Sequence, residues 1–288
     1  MGRNGASTPP GDLINHVLTP EGALVLALIG FGVGWFGTLV GAGGGFILTP
    51  VLLLLYPNDS VQTITAIGLV AVFANSGSGT LAYLRHRRVD VRTGTVMLLS
   101  TFPGAVGGAL LTPYVPRTAF DLTTATLLVL VAVWVLIGRR PGPPRTGGRR
   151  EHRHLVDRSG HTFDYMVPMR RGAVMSAGIG FVSSLLGVGG GFIQVPVMVG
   201  ALGFPTHIAT ATSHFILTGT SGFASITHVL SGSFAGGHGV YRAVLLAVML
   251  ASGAQVGART SGRLSGVVIE RLLVVALLII AVRLAFAA

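Results

Sequence analysis

Ten apolar runs, set out as two series of five in the same order, constrain this chain more than any other feature. They fall at 23–40, 46–56, 64–84, 94–113 and 119–138, and again at 172–186, 192–202, 208–230, 240–258 and 267–286. GAGGGFI at 41–47 aligns with GVGGGFI at 187–193, and Pro50 aligns with Pro196. Ser76-Gly77 stands opposite Ser221-Gly222, and the pair Gly104-Ala105 and Gly108-Ala109 stands opposite Gly253-Ala254 and Gly257-Ala258. Landmarks kept in register predict a duplication: a polar N-terminal segment at 1–20, transmembrane repeat 1 at 21–138, a linker at 139–171 and transmembrane repeat 2 at 172–288.

Half of the residues are hydrophobic, 10% are charged and mean hydropathy is +0.72, far from the roughly 25% charged usage of soluble domains. At about 20 residues per crossing, 288 residues are largely consumed by spans. The chain therefore reads as an all-α polytopic membrane protein. Residues 1–20 lack the basic-then-apolar order of a cleaved signal, so the first run is expected to be retained as a span. With no cysteine, disulfides, iron–sulfur clusters, thiolate zinc sites and cysteine nucleophiles are excluded, and no cofactor is expected.

The net charge of +11 would suit nucleic acid if it covered a folded basic face. Instead the arginines cluster in polar breaks, at 139–171 and 85–92, as cytoplasmic loops do under the positive-inside rule. Membrane lipid and a small solute, not nucleic acid, are the expected partners, and association into a homo-oligomer is compatible with the pattern. The 139–171 segment is expected to be a solvated cytoplasmic linker in a cell-membrane protein. Its Glu151, His152 and His154 could bind a metal, but a histidine-bearing flexible loop is the reading adopted, and no metal site is expected.

Orientation turns on the pair of runs that opens each repeat. If both members cross, each half has five elements, the second half is inverted, and Arg259, Arg263 and Arg271 lie inside. If each pair is one broken crossing, each half has four spans and the halves are parallel. Arginine placement favours inversion. Against separate crossings, 46–56 and 192–202 are eleven residues each, reaching about 16 Å of a roughly 30 Å core, so they are expected to be half-helices entering from one face.

Glycine adopts backbone angles closed to other residues and lets other groups approach the main chain, so both glycine runs are natural places for a helix to unwind. Such a break leaves the following helix with free N–H groups and a positive dipole end, which suits an anion. Two breaks converging near the midplane is a recurring transporter arrangement; close helix packing through small residues is the alternative. The expected oxyanion ligands are the backbone amides around Gly43, Gly44, Gly45 and Phe46, and around Gly189, Gly190, Gly191 and Phe192. Thr49 and Gln194 occupy corresponding positions a few residues on, and the helices carrying Ser76 and Ser221 flank the site.

Two further features agree. All nine acidic residues sit in loops, the linker or span ends, whereas a cation carrier would place carboxylates inside the membrane. At 100° per residue, His207, Thr210, His214, Thr218, Ser221, Ser225 and His228 share an arc of about 80°, a polar stripe that could line a path and donate to oxyanions. His214, ionisable and deep in an apolar run, is expected to contact substrate or sense protonation. Gly219-Thr220-Ser221-Gly222 also fits the GxSG pattern of intramembrane serine proteases. That chemistry needs a histidine from another helix, yet His214 and His228 share the serine's own run.

The segments GWFGTLVGAGGGFILTPVL and GFVSSLLGVGGGFIQVPVM, with TATSHF, TSGF and PGAVGG/SGAQVG, resemble the sulfite exporter TauE/SafE family of membrane anion permeases. The resemblance spans the chain from Gly22 onward, apart from the linker. It implies transport of sulfite, sulfonates or related organic anions without a bound cofactor. An anion channel is the alternative. No GxxxxGK[ST] phosphate loop is present, and outward movement of a negative charge gains about 2.3 kcal/mol per 100 mV.

Overall fold

The computed structural model describes residues 20–137, 151–234 and 238–285. Its helices are α1 (Pro20–Val40), α2 (Gly45–Leu55), α3 (Val61–Arg85), α4 (Val91–Leu111), α5 (Arg117–Ile137), α6 (Met169–Leu186), α7 (Gly191–Pro196, continued by a π turn over Val197–Ala201), α8 (Thr206–Leu230), α9 (His238–Ser261) and α10 (Gly266–Ala285). Five of them are long and apolar enough to cross a membrane, covering Glu21–Val40, Val61–Arg85, Val91–Tyr114, Arg117–Ile137 and Gly239–Ser261. The protein is an all-α membrane bundle apart from one hairpin.

Local sequence sets the helix ends. Ser60 caps α3 by accepting from the Thr63 amide at 3.1 Å, and Asp90 caps α4 through the Thr93 amide at 3.0 Å, satisfying donors that a helix start leaves bare. Polar and apolar positions are distributed as lipid requires. Leu24, Leu28, Leu130 and Ile137 face outward, while Thr38, Thr65, Asn75, Ser213 and His214 are buried between helices.

Glycines set the closest packing. A Cβ on Gly253 or Gly257 of α9 would strike the Phe31 or Trp35 carbonyl of α1, and one on Gly104 or Gly108 of α4 would strike the Ala177 or Phe181 carbonyl of α6. Small residues let apolar helices approach to backbone contact, where dispersion and weak polar contacts hold them without a hydrophobic drive. The opening helix of each series thus lies on the fourth helix of the other. α3 and α8 cross between these pairs, with Thr80 and Thr218 hydroxyls 3.0 Å apart, and α5 packs on α10.

The segment expected to be a solvated linker contains ordered structure, which corrects both that expectation and a strictly all-α fold. β1 (Glu151–Val156) and β2 (Thr162–Val167) form an antiparallel hairpin in the register Glu151↔Val167 to Val156↔Thr162. Its sequence alternates, so Arg153, Leu155, Phe163, Tyr165 and Val167 share the covered face. Tyr165 donates to Asp90 Oδ2 at 2.8 Å, Arg153 donates to Thr93 Oγ1 at 3.0 Å, and Arg88 donates to Asp157 Oδ2 at 3.0 Å. Burial pushes the Asp157 carboxyl up, but the His161 amide, Arg88 and the Ser159 amide outweigh it and hold it below the usual carboxylate range. Burial, with Asp90 alongside, pushes the Tyr165 phenol upward. His154 and His152 stand 2.8 and 3.7 Å from Asp164, while Glu151 pairs with Arg153 and Arg92.

Candidate functional site

The helix breaks lie in the two glycine runs. α1 stops at Val40, and Gly41, Gly43 and Gly44 take φ of 82°, 72° and 77° before α2 begins; Gly187, Gly189 and Gly190 take 62°, 77° and 54° between α6 and α7. Side chains other than glycine rarely adopt these angles. Each break reverses the chain. The end of α1 lies beside the end of α9, where Tyr83 donates to Thr38 O at 2.8 Å and to Ser261 Oγ at 3.0 Å. The end of α2 lies beside the start of α9, with the Arg242 guanidinium 4.1 Å above the Tyr56 ring and 2.7 Å from Asp59.

The second pair does the same. Phe204, just past α7, meets the hairpin's Tyr165 at 4.9 Å, and a Cβ on Gly172, near the start of α6, would lie 3.4 Å from Leu202. The short α2 and α7 are the half-helices expected from their length, each folded back on the helix before it. Each pair is a helical hairpin, because three left-handed glycines in four residues turn the backbone through a tight reversal.

The hairpin tips meet. A Cβ on Gly191 would lie 2.7 Å from Ala42 Cα, and one on Gly45 would collide with the Val188 carbonyl. Phe46 and Phe192, both fully buried, stack at 6.2 Å and 25°. The Gly187 carbonyl accepts from Thr49 Oγ1 at 2.7 Å, and the Gly41 carbonyl accepts from Ser213 Oγ at 3.0 Å. Among the described residues no acceptor meets the amides of Gly44, Gly45 and Phe46, or those of Gly190 and Phe192. Bare amides at a helix start carry partial positive charge. Val72 and Leu217 lie over the tips, in contact range of Gly43, Gly45, Gly189 and Gly191 positions.

Residues 26–284 match the family described as sulfite exporter TauE/SafE. The chain belongs to the sulfite exporter TauE/SafE family. It is 26% identical over 215 residues to the probable membrane transporter protein YunE of Bacillus subtilis, covering 73% of this chain and 79% of that one. It is 24% identical over 202 residues to the probable membrane transporter protein MJ0441 of Methanocaldococcus jannaschii, covering 68% of each. A probable membrane transporter, ORF9 of Sinorhizobium sp, is 28% identical over 211 residues, covering 73% of this chain and 71% of its own. No solved structure matches the chain. Family and relatives support a membrane transporter, and neither points to catalysis.

Within this TauE/SafE member, Gly43–Phe46 and Gly189–Phe192 are brought together. The other expected site residues are placed differently. Thr49 uses its hydroxyl on the Gly187 carbonyl, and in the aligned runs it stands opposite Val195, while Gln194 stands opposite Leu48. Gln194 reaches toward Ser176 Oγ at 3.4 Å and Met97 Sδ at 3.8 Å, behind the tip, with Oε1 unpartnered. Ser76 donates to Val72 O at 2.6 Å and Ser221 to Leu217 O, each one turn back on its own helix; in an apolar setting this is the usual outlet for a serine hydroxyl. His214 is fully buried, its Nδ1 3.2 Å from Thr210 O and its ring edge-on to Tyr83 at 5.5 Å, with Nε2 unpartnered.

Sequence reading passed over Ser183 and placed Thr65 only on the polar face of the first half, with Gln62, Ser76, Thr80 and Tyr83. Thr65 packs on Gly187 as Thr210 packs on Gly41, and both threonine hydroxyls are buried without a partner. Ser183 Oγ, also unpartnered, would lie 3.0 Å from a Cβ at Gly190. Buried polar atoms without partners are rare and call for an explanation such as a ligand. The signal in the sequence was the alignment of Thr65 with Thr210 at the tip's level.

Proposed function

We propose that this chain is a secondary transporter of small sulfur-containing or organic anions, such as sulfite or sulfonates, in the cell membrane. The anion is held between the two hairpin tips by the amides of Gly44, Gly45 and Phe46 and of Gly190 and Phe192, assisted by the hydroxyls of Thr65, Thr210 and Ser183. The observation that carries this reading is the meeting of two helix starts at which, among the described residues, the amides of Gly44, Gly45, Phe46, Gly190 and Phe192 have no acceptor. Backbone donors aimed from two helix ends favour an oxyanion over a cation or a neutral solute.

Each half then consists of a re-entrant hairpin and three crossings. Three is odd, so the second half is inverted, and the strand hairpin, the arginines at 85–92 and the α9–α10 loop share the cytoplasmic side. Val72 and Leu217 cover the tips in a closed arrangement. Their withdrawal on alternate sides, as the two halves rock, gives alternating access.

Purified protein in proteoliposomes, tested with sulfite, sulfonates, sulfate and small carboxylates, is expected to show saturable counterflow of at least one sulfur oxyanion or sulfonate. Flux that never saturates would make it a channel, and no anion flux at all would end the reading.

A further inference from the structure

A cleft of about 760 Å³ opens between α5, α7, the start of α8 and α10. Its lining includes Val40, the last residue before the first break, and Val195 of α7, whose side chain would lie 2.8 Å from a Cβ on Gly41. The cleft therefore reaches the flank of the first hairpin tip. Glu270 is the single ionisable side chain among its lining residues. The half-buried carboxylate accepts from Thr206 Oγ1 at 2.8 Å, and no basic group among the described residues lies within 4.0 Å of it.

That isolation sets Glu270 apart in a strongly basic protein. Asp59, Asp121 and Asp157 each pair with an arginine. The elements packed around Glu270 bring no counter-charge. The only ionisable residues of α5, Arg117 and Asp121, pair with each other at its far end, α2 and α7 have none, and Glu21 is at the start of α1. His207 of α8 interacts with Arg88, Asp157 and His161 on the hairpin side. Arg271 follows in the chain, Arg283 is at the far end of α10, and Arg259 and Arg263 precede the helix.

An anion in this cleft would set two negative charges side by side unless the carboxyl takes up a proton. Bound anion and bound proton thus favour one another, and the coupling is reciprocal. We propose that Glu270 is the proton-coupling residue: the carboxylate gains a proton as the anion occupies the cleft, and the O–H bond breaks again when the anion has left. One proton accompanies one negative charge. This inference rests on the transport reading above.

The test uses methanesulfonate, whose charge does not change across neutral pH, in proteoliposomes loaded with a pH-sensitive dye. For wild type, counterflow is expected together with accumulation of about tenfold per unit of imposed pH difference, the factor for one coupled proton, and with dye-reported proton movement. Glu270→Gln, which keeps shape and a hydrogen bond to Thr206, is expected to retain counterflow and to lose the pH-driven accumulation. Equal accumulation by wild type and variant overturns the assignment to Glu270. Wild-type counterflow without proton movement overturns proton coupling whether or not the variant folds, and leaves the transport reading standing. Absence of counterflow for methanesulfonate and for every anion of the wider panel overturns both.

Discussion

Gly45 carries a constraint that glycine's backbone freedom does not explain. Its φ is negative, yet an added methyl would collide with the Val188 carbonyl and lie 2.6 Å from Val72. Gly45→Ala is therefore expected to destabilise the protein by about 1–3 kcal/mol, the usual range for overpacking, and to lower counterflow sharply. Gly32→Ala, where an added methyl meets nothing within 4 Å, should be silent in thermal unfolding and in flux. Loss of activity in both, or in neither, would contradict the tip contact. At this scale the sequence was informative where chemistry is restrictive: successive glycines before Phe46 and Phe192 announced positive φ. It could not show that the Ser76 and Ser221 hydroxyls turn back to Val72 and Leu217, because a hydroxyl in an apolar helix can satisfy itself one turn back, and no residue type reveals that choice.

The strand hairpin is the element that composition concealed. Arginine and histidine at 139–171 suggested solvent, while the alternation in EHRHLV and TFDYMV, each side of a turn at Asp157, carried the strand signal. Docking rests on Asp157, whose side chain is 1% exposed and whose partner Arg88 is 13% exposed. Asp157→Asn should weaken that anchor by about 1.5–3 kcal/mol, the range for hydrogen bonds to charged groups, and speed hydrogen exchange of the β1 and β2 amides. The folded carboxyl is held below its ordinary 3.8. The stabilisation is therefore complete above that value and fades as pH falls through the depressed one. Exchange rates that are flat with acidification would contradict this linkage. The reversal of α1 into α2 was hidden for a different reason: an eleven-residue apolar helix has the same pattern whichever way it points.

At the scale of the molecule, two matched series of runs were legible and their interleaving was not. Two matched series suggest two bodies side by side, but α1 lies on α9 and α6 on α4 through the glycines of the GAVGG and SGAQVG blocks. A repeat in sequence fixes equivalence between positions, not which copy a position touches. The α3–α8 crossing is where relative motion can be arrested. Because the chain has no cysteine, Thr80→Cys with Thr218→Cys introduces an isolated pair at hydroxyls now 3.0 Å apart. Oxidation should reduce counterflow to background and reductant should restore it, with either single variant near wild type. Full flux with the bridge formed would place the movement elsewhere.

The glycine contacts of α1 also bear on biosynthesis. Phe31 and Trp35 are synthesised 222 residues before their partners Gly253 and Gly257. The first hairpin must wait in the insertion machinery or in lipid without its long-range support. A chain truncated before α9 would present that unsupported segment to quality control, however completely its own repeat had been synthesised.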